Sequence, residues 1–320
     1  MQTHAWMRAR AASLMHPPDL RLYAVMDGDR IEAIAPLLRI DNWLREPPLL
    51  HEPGDLVWRT PEGLRELAAM LAAEPLPVFL ERVPIDSPTV SMLHRAYAGR
   101  GMVQVRPAMP TPVIELDERW QDFDACFNAG RRSDFRRMER RALGLGEVSY
   151  EIHCPASEAE LVPLMEEAYS IEARCWKEQA GTSLTADAWQ GEFFRRFARN
   201  ALPTGILRIA FLRIGGQAVA MQIAAEWQQR FWLFKISHDQ TFSRCSPGQL
   251  LMLHTLRHAA RSSLLSYEFM GVMDDWTTLW TQRTRRYVQV RAVPFNASTG
   301  KMLIKRGARS LLGGLRRIVR

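Results

Sequence analysis

Two stretches with the same hydrophobic pattern organise the chain. Residues 21–34, RLYAVMDGDRIEAI, run apolar, turn at Asp27, Gly28 and Asp29, and run apolar again; residues 208–221, RIAFLRIGGQAVAM, do the same around Gly215 and Gly216. Asp-Gly or Gly-Gly between two β-type runs predicts a tight hairpin, because such turns need positive φ, which glycine adopts without steric cost. The hairpins lie 208 − 21 = 187 residues apart, and at that offset Arg21 matches Arg208, Gly28 matches Gly215 and Ala33 matches Ala220. After the first, the pattern predicts a strand at 56–59, a helix at 61–73 with Leu64, Leu67 and Leu71 on one face, and a strand at 77–83. After the second it predicts a strand at 230–237, a helix at 247–260 and a strand at 265–270. Each half therefore reads as one mixed α/β unit.

A proline-rich connector at 107–112 separates the halves, and a further helix is predicted from Ser133, its stripe formed by Phe135, Met138, Ala142 and Leu145. Arg131, Arg132, Arg136, Arg137, Arg140 and Arg141 cover its other side. A solvated basic face accounts for them; phosphate binding is the alternative.

Length agrees with two domains, since 320 residues exceed what one core of ordinary size needs. We expect them at 1–125 and 126–300, with a tail at 301–320. No window reaches eighteen uninterrupted apolar residues, and Arg8 and Arg10 interrupt the N-terminus, so neither a membrane span nor a secretory signal is expected and the cytoplasm is. Cys126, Cys154, Cys175 and Cys245 lie far apart without ligand spacing, so no disulfide framework and no metal is expected. The net charge of +7 is matched by seven basic residues after Asn296, namely Lys301, Lys305, Arg306, Arg309, Arg316, Arg317 and Arg320. Since 7 − 7 leaves a neutral body, the basicity belongs to the tail. That tail reads as an amphipathic basic helix docked by its apolar face, with an anionic membrane or a tRNA backbone as alternative partners.

Candidate chemistry concentrates at 230–260, where an aromatic-rich strand runs through a polar loop into a helix beginning Ser246, Pro247, Gly248. Serine at the N-cap and proline at N1 mark a helix start, whose amides and dipole favour an anion. Gly248 permits close backbone approach and Arg244 can add a charge-assisted bond. Proton-transfer candidates nearby are His238, Asp239, Glu172 and Asp275, each with a structural reading beside it: a hydrogen-bonded histidine, a turn-stabilising aspartate, a solvated glutamate beside a packed Trp176. Cys175 reads as a buried structural thiol.

At these residues the sequence resembles the CelD/BcsL-like acetyltransferases of the GNAT superfamily, which carry tandem GNAT folds and are distantly similar to Fem-type aminoacyl transferases. Glu172, Cys175, Trp176, Lys177, Gly181, Thr182, Lys235, Asp239, the Ser246-Pro247-Gly248 start and Trp280-Thr281 carry the resemblance. It implies two tandem GNAT-like mixed-sheet domains, the acyl-CoA N-acyltransferase fold, with the N-terminal one non-catalytic. It also implies acetyl-CoA or another acyl-CoA as co-substrate, held by Lys235, Ile236, Ser243, Arg244, Ser246, Gly248 and Gln249. Glu172, His238, Asp239 and Tyr287 are then the catalytic candidates, Tyr287 or Tyr267 returning a proton to the CoA thiolate. Trp176, Lys177, Asp275 and Trp280 would meet the acceptor, a small-molecule amine or amino sugar. The alternatives are a Fem-like transferase taking its group from aminoacyl-tRNA, and a binding protein that keeps the fold without turnover.

Overall fold

The structure is a computed structural model and describes residues 3–13, 19–46, 52–175, 181 and 183–296. In chain order its first elements are α1 (His4–Ser13), β1 (Asp19–Asp27), β2 (Arg30–Ile40), β3 (Trp43–Arg45), β4 (Val57–Trp58), α2 (Pro61–Ala73), β5 (Val78–Pro84), α3 (Thr89–Tyr97), β6 (Gly101–Pro107) and β7 (Thr111–Glu115). Then come α4 (Ala129–Leu143), β8 (Val148–His153), α5 (Glu158–Ala173), α6 (Ala188–Ala201), β9 (Leu207–Ile214), β10 (Gln217–Trp227) and β11 (Arg230–His238). The last elements among the described residues are α7 (Pro247–Arg261), β12 (Ser266–Phe269), α8 (Asp275–Thr278), β13 (Thr284–Arg285) and β14 (Tyr287–Pro294).

Contacts divide the chain into two compact units, Met1–Met15 with Thr111–Arg285, and His16–Pro110 with Arg286–Arg320. The division thus falls at Pro110, not at residue 125, and each unit borrows an end of the chain. Helix α1 joins the later unit because Trp6 buries itself against Phe193 and Phe197 of α6, ring centroids 4.7 and 5.0 Å away. Strand β14 joins the earlier unit because it pairs antiparallel with both β5 and β6. Sequence periodicity cannot reveal such an exchange, since strand partners are set by tertiary packing. The tail at 301–320 lies outside the described residues.

Among the described residues each unit holds a seven-stranded mixed sheet. In the earlier unit the order is β1-β2-β3-β5-β14-β6, with β4 on β2, and β3 and β5 are parallel. Helix α2 fills the crossover between β3 and β5 and buries Leu64, Leu67 and Leu71, the predicted stripe. In the later unit the order is β13-β7-β12-β11-β10-β9-β8, and the parallel pair is β11 and β12 with α7 between them. Both hairpins form as predicted; Gly215 and Gly216 both sit at positive φ, 58° and 81°, the turn geometry that suits twisted strands. Helix α4 begins at Ala129, capped by the Asn128 side chain bonding the Arg131 amide at 2.8 Å, and not at Ser133. Asn128 supplies the same cap one turn earlier, where the sequence stripe has not yet begun.

Against this sheet α7 stacks His254 on Tyr150 of β8, centroids 4.6 Å apart and ring planes nearly parallel. Burial, with Arg257, His258 and Arg261 nearby, depresses the imidazole to a pKa of about 4. An unfolded histidine titrates near 6.5 (about), so between those values the unfolded chain holds the extra proton and stability falls as pH falls. We predict that the wild type loses about 1 kcal/mol more stability than His254→Phe between pH 7 and pH 4.5, roughly, after allowing for partial exposure. Urea unfolding of both proteins at the two pH values checks this; equal losses would contradict it.

Candidate active site

Strand β11 determines what the later unit can bind, because its side chains do not alternate evenly. Pairing with β10 runs Ala224 to Leu233 and then Ile223 to Lys235, so Phe234 is an extra residue, a β-bulge. Phe231 and Leu233 pack under α7 with Met252 and Leu256. Phe234 instead packs against Trp6 and Phe197, and Lys235 follows it to that same side, where its ammonium lies 3.5 Å from Glu172 and 3.1 Å from the Gln190 side-chain oxygen. Beyond the bulge the phase is inverted, so Ile236 and His238 face the α7 side. A one-residue slip moves every later side chain to the other face.

The parallel ladder with β12 ends at Leu233 and Phe269, although β11 continues for five more residues to His238. Where the two strands part, a cavity of about 500 Å³ opens. Ile236 and His238 of β11 line it, with Ser243, Ser246, Gly248, Gln249 and Met252 on the α7 side and Cys175, Trp276 and Trp280 opposite. Such a volume, mostly apolar with a few convergent polar groups, suits a small-molecule site.

Helix α7 starts at Pro247 as predicted, but Ser246 does not cap it through its side chain. Ser246 sits in the left-handed region, φ 52° and ψ 56°, and makes no side-chain cap bond. Its carbonyl accepts the Gln249 and Leu250 amides at 3.0 and 3.2 Å, and Pro247 has no N–H. The Gly248 amide therefore remains for an external acceptor at the positive end of the helix dipole. A side chain at Gly248 would start 3.4 Å from His238 Nδ1, so glycine keeps this wall clear. The Gln249 side-chain oxygen is buried without a hydrogen-bond partner among the described residues. A group left so costs about 1–3 kcal/mol until a donor arrives.

Of the four catalytic candidates, His238 lines the cavity, half-buried and 3.5 Å from Ser243 Oγ. Asp239 is buried as a turn residue: it accepts from the Thr241 amide and hydroxyl at 3.0 and 2.7 Å and from Arg174 Nε at 2.6 Å. Burial alone would raise its pKa, but the Thr241 bonds and the Arg174 guanidinium outweigh it and hold the carboxyl below its ordinary range, which makes it a poor base. Glu172 is fully buried, neither solvated nor in the cavity; it accepts the Leu184 amide at 2.8 Å and pairs with Lys235. Tyr287 belongs to the other unit, where Arg82 covers its ring at 5.0 Å. Tyr267 is also buried away from the cavity, its hydroxyl 3.1 Å from Thr255 Oγ1 and 3.3 Å from Gln222, with burial pushing its pKa up.

Among the expected donor contacts, Ile236, Ser243, Ser246, Gly248 and Gln249 meet in the cavity. Lys235 does not, because the bulge turns it away, and Arg244 is exposed, its carbonyl bonded by Arg141 at 3.2 Å. Trp280 lines the cavity, stacked on Phe135 at 5.6 Å, whereas Asp275 is exposed at the start of α8. Trp176 and Lys177 lie outside the described residues. Sequence reading missed Trp276, although its spacing of four from Trp280 was a usable signal. Four of the six α4 arginines bond within the chain: Arg131 to Leu279, Arg132 to Phe127, Arg137 to Asp134 and Arg141 to Arg244. Among the described residues no group of three His, Cys, Asp or Glu side chains can hold a metal, and no helix is long and apolar enough to cross a membrane.

Because buried Glu172 anchors half-buried Lys235, we predict that Glu172→Ala lowers unfolding stability by about 3 kcal/mol and Glu172→Gln by less, since the amide still accepts from Leu184. Chemical denaturation checks it; a shift within error for Glu172→Ala would refute the structural role.

Residues 129–277 match the family described as acetyltransferase (GNAT) domain. No curated protein sequence matches the chain. Among solved structures it is similar to L-PGS from Bacillus licheniformis, at 12% identity and TM-score 0.57, covering 95% of this chain and 96% of that one. FemX is similar at 11% identity and TM-score 0.57, with 94% and 93% covered. A conserved protein of unknown function from Bacteroides thetaiotaomicron is similar at 12% identity and TM-score 0.58, with 90% and 89% covered. At such identities these three likenesses concern the fold, and they extend over both units.

Proposed function

We propose that this chain, whose residues 129–277 match the GNAT acetyltransferase domain and whose fold is similar to that of FemX, is an acyl-CoA-dependent N-acyltransferase that moves an acetyl or longer acyl group to the amine of a small molecule or amino sugar. A CoA thioester as donor belongs to the cytoplasm, where we take the protein to work. The observation that carries the reading is the parting of β11 from β12 at a cavity walled by the uncapped first turn of α7. A diphosphate needs converging N–H donors and a helix N-terminus; a pantetheine arm needs a narrow apolar slot with occasional polar partners such as Gln249.

The corresponding helix start of the earlier unit supports assigning turnover to the later unit alone. At α2 the Thr60 hydroxyl accepts the Gly63 amide at 3.1 Å and donates to Glu32 at 3.0 Å, and a side chain at Gly63 would meet Glu32 at 2.9 Å. That turn is closed by its own side chains, one of them a carboxylate where a phosphate would otherwise sit.

In the reaction the amine nitrogen attacks the thioester carbon, the C–S bond breaks, and the departing thiolate takes a proton while the nitrogen loses one. His238 is the residue best placed to accept the nitrogen's proton, lying in the cavity with its ring held near Ser243. Alignment of two bound reactants supplies much of the remaining acceleration. A second reading, a Fem-like transferase using aminoacyl-tRNA, draws on the whole-chain likeness to FemX. It has less support from α4, whose arginines are largely engaged within the chain.

Thermal shift with acetyl-CoA, a longer acyl-CoA and aminoacyl-tRNA at two salt concentrations separates the readings. We expect a CoA thioester at about 100 times its Kd to add about 2.7 kcal/mol of stability, and Gly248→Glu to fold normally but lose that response. The reading fails if no CoA thioester stabilises the native chain, or if Gly248→Glu responds as the wild type does. A response to tRNA alone, steeply weakened by salt, would install the second reading instead. We further expect His238→Gln to reduce kcat at least about 100-fold while acetyl-CoA affinity stays within about threefold, measured by steady-state kinetics and calorimetry.

A further inference from the structure

Trp280 is shared by two cavities. One is the cleft beside α7. The other, about 650 Å³, is lined by Glu115, Arg119, Trp120, Cys126 and Arg283, among others, together with Trp280. Its size falls within the range of small-molecule sites. All of these residues belong to the later unit.

The charges of this second cavity are unevenly satisfied. Arg119 is held in a two-pronged pair by Asp117, at 3.0 and 2.8 Å. Glu115 pairs with Arg285 at 3.1 Å. Arg283 has no carboxylate within 4.0 Å among the described residues and is exposed where it lines the cavity, although its field reaches Asp117. One cation is therefore left over, beside two indole rings. Trp280 is fixed by stacking on Phe135, and Trp120 by a tilted contact with Phe123 at 5.7 Å and an edge contact with Phe127 at 6.0 Å. Rigid aromatic walls with one spare guanidinium suit a ring-bearing molecule that carries an anionic group.

We infer that this second cavity anchors the acyl acceptor, and that the acceptor is a ring-bearing amine with its own carboxylate or phosphate, held by Arg283 while its nitrogen reaches past Trp280 toward the donor cleft. The acceptor role rests on the acyltransferase reading; occupancy of the cavity by such a molecule does not. Without an anionic anchor nothing in the cavity calls for Arg283, and a neutral amine would gain little from it.

Cys126 gives a direct report, because its thiol lies in this cavity, bonded to the Arg119 carbonyl at 3.3 Å, while exposed Cys154 lies elsewhere and serves as an internal reference. Full-length protein would be alkylated with iodoacetamide at about pH 9, since burial raises the Cys126 pKa, and the two cysteines compared by peptide mass spectrometry. The probes are two matched pairs: D-glucosamine against D-glucosamine 6-phosphate, and tryptamine against L-tryptophan. The expected result is that at least one anionic member slows Cys126 alkylation about fivefold relative to Cys154, its matched partner does not, and Arg283→Ala abolishes the protection. Whichever pair discriminates identifies phosphate or carboxylate as the anchor. Protection by none of the four, equal protection by both members of a pair, or protection that survives Arg283→Ala would overturn the inference. The acetyl-CoA thermal shift of the wild type is read separately, so loss of the donor reading and loss of this site are distinguishable.

Discussion

The extra residue in β11 governs the site. Inserting Phe234 into the ladder reverses the phase of the strand, so that a histidine and an isoleucine, not a lysine and a serine, reach the cleft. Its hold comes from the other side of the sheet. Phe234 sits within 4.6 to 6.3 Å of Trp6, Phe194 and Phe197, and each such aromatic contact adds about 0.5–1.5 kcal/mol beyond burial. Lys235 reinforces it through Glu172 and Gln190. The N-terminal helix, remote in sequence, thus helps set which residues line the cleft by supplying Trp6.

The same arrangement of strands and helix ends differently in the two units. Both units contain a parallel strand pair with a helix in the crossover between the two strands. In the earlier unit the Thr60 hydroxyl, held by Glu32, takes the Gly63 amide; in the later unit Ser246 makes no side-chain cap bond and the Gly248 amide stays available. The difference is three side chains, not a difference in fold. It shows why the likeness to solved structures over both units speaks to architecture and leaves chemistry to the particular turn.

Much of the fold was legible because its signals are local. Gly215-Gly216 and Asp27-Gly28 specify turns within four residues, and Pro247 or the Leu64, Leu67, Leu71 stripe specify helices within a few turns. What escaped depends on partners distant in sequence. The bulge at Phe234 exists only relative to β10, and the transfer of Tyr287 to the earlier unit exists only relative to β5 and β6. Glu172 and Asp239 were ambiguous for another reason: a carboxylate that binds a backbone amide and one that takes a proton look alike until their neighbours are known. Arg174 and Thr241 resolve one, Leu184 and Lys235 the other.

The open turn before α7 also carries an energetic consequence. Ser246 occupies a left-handed conformation that costs a side-chain-bearing residue about 1–2 kcal/mol, and the unpartnered Gln249 oxygen adds a comparable cost. A serine with extended backbone and a capping hydroxyl would remove the first cost, but it would also consume an amide facing the cleft. Local stability and anion capture therefore compete for the same N–H groups. On the acyltransferase reading we propose, the competition falls toward capture at Ser246 and toward stability at Thr60, and the surrounding core of Met252, Leu256 and Phe231 is what lets the helix persist with the Gly248 amide unpaired.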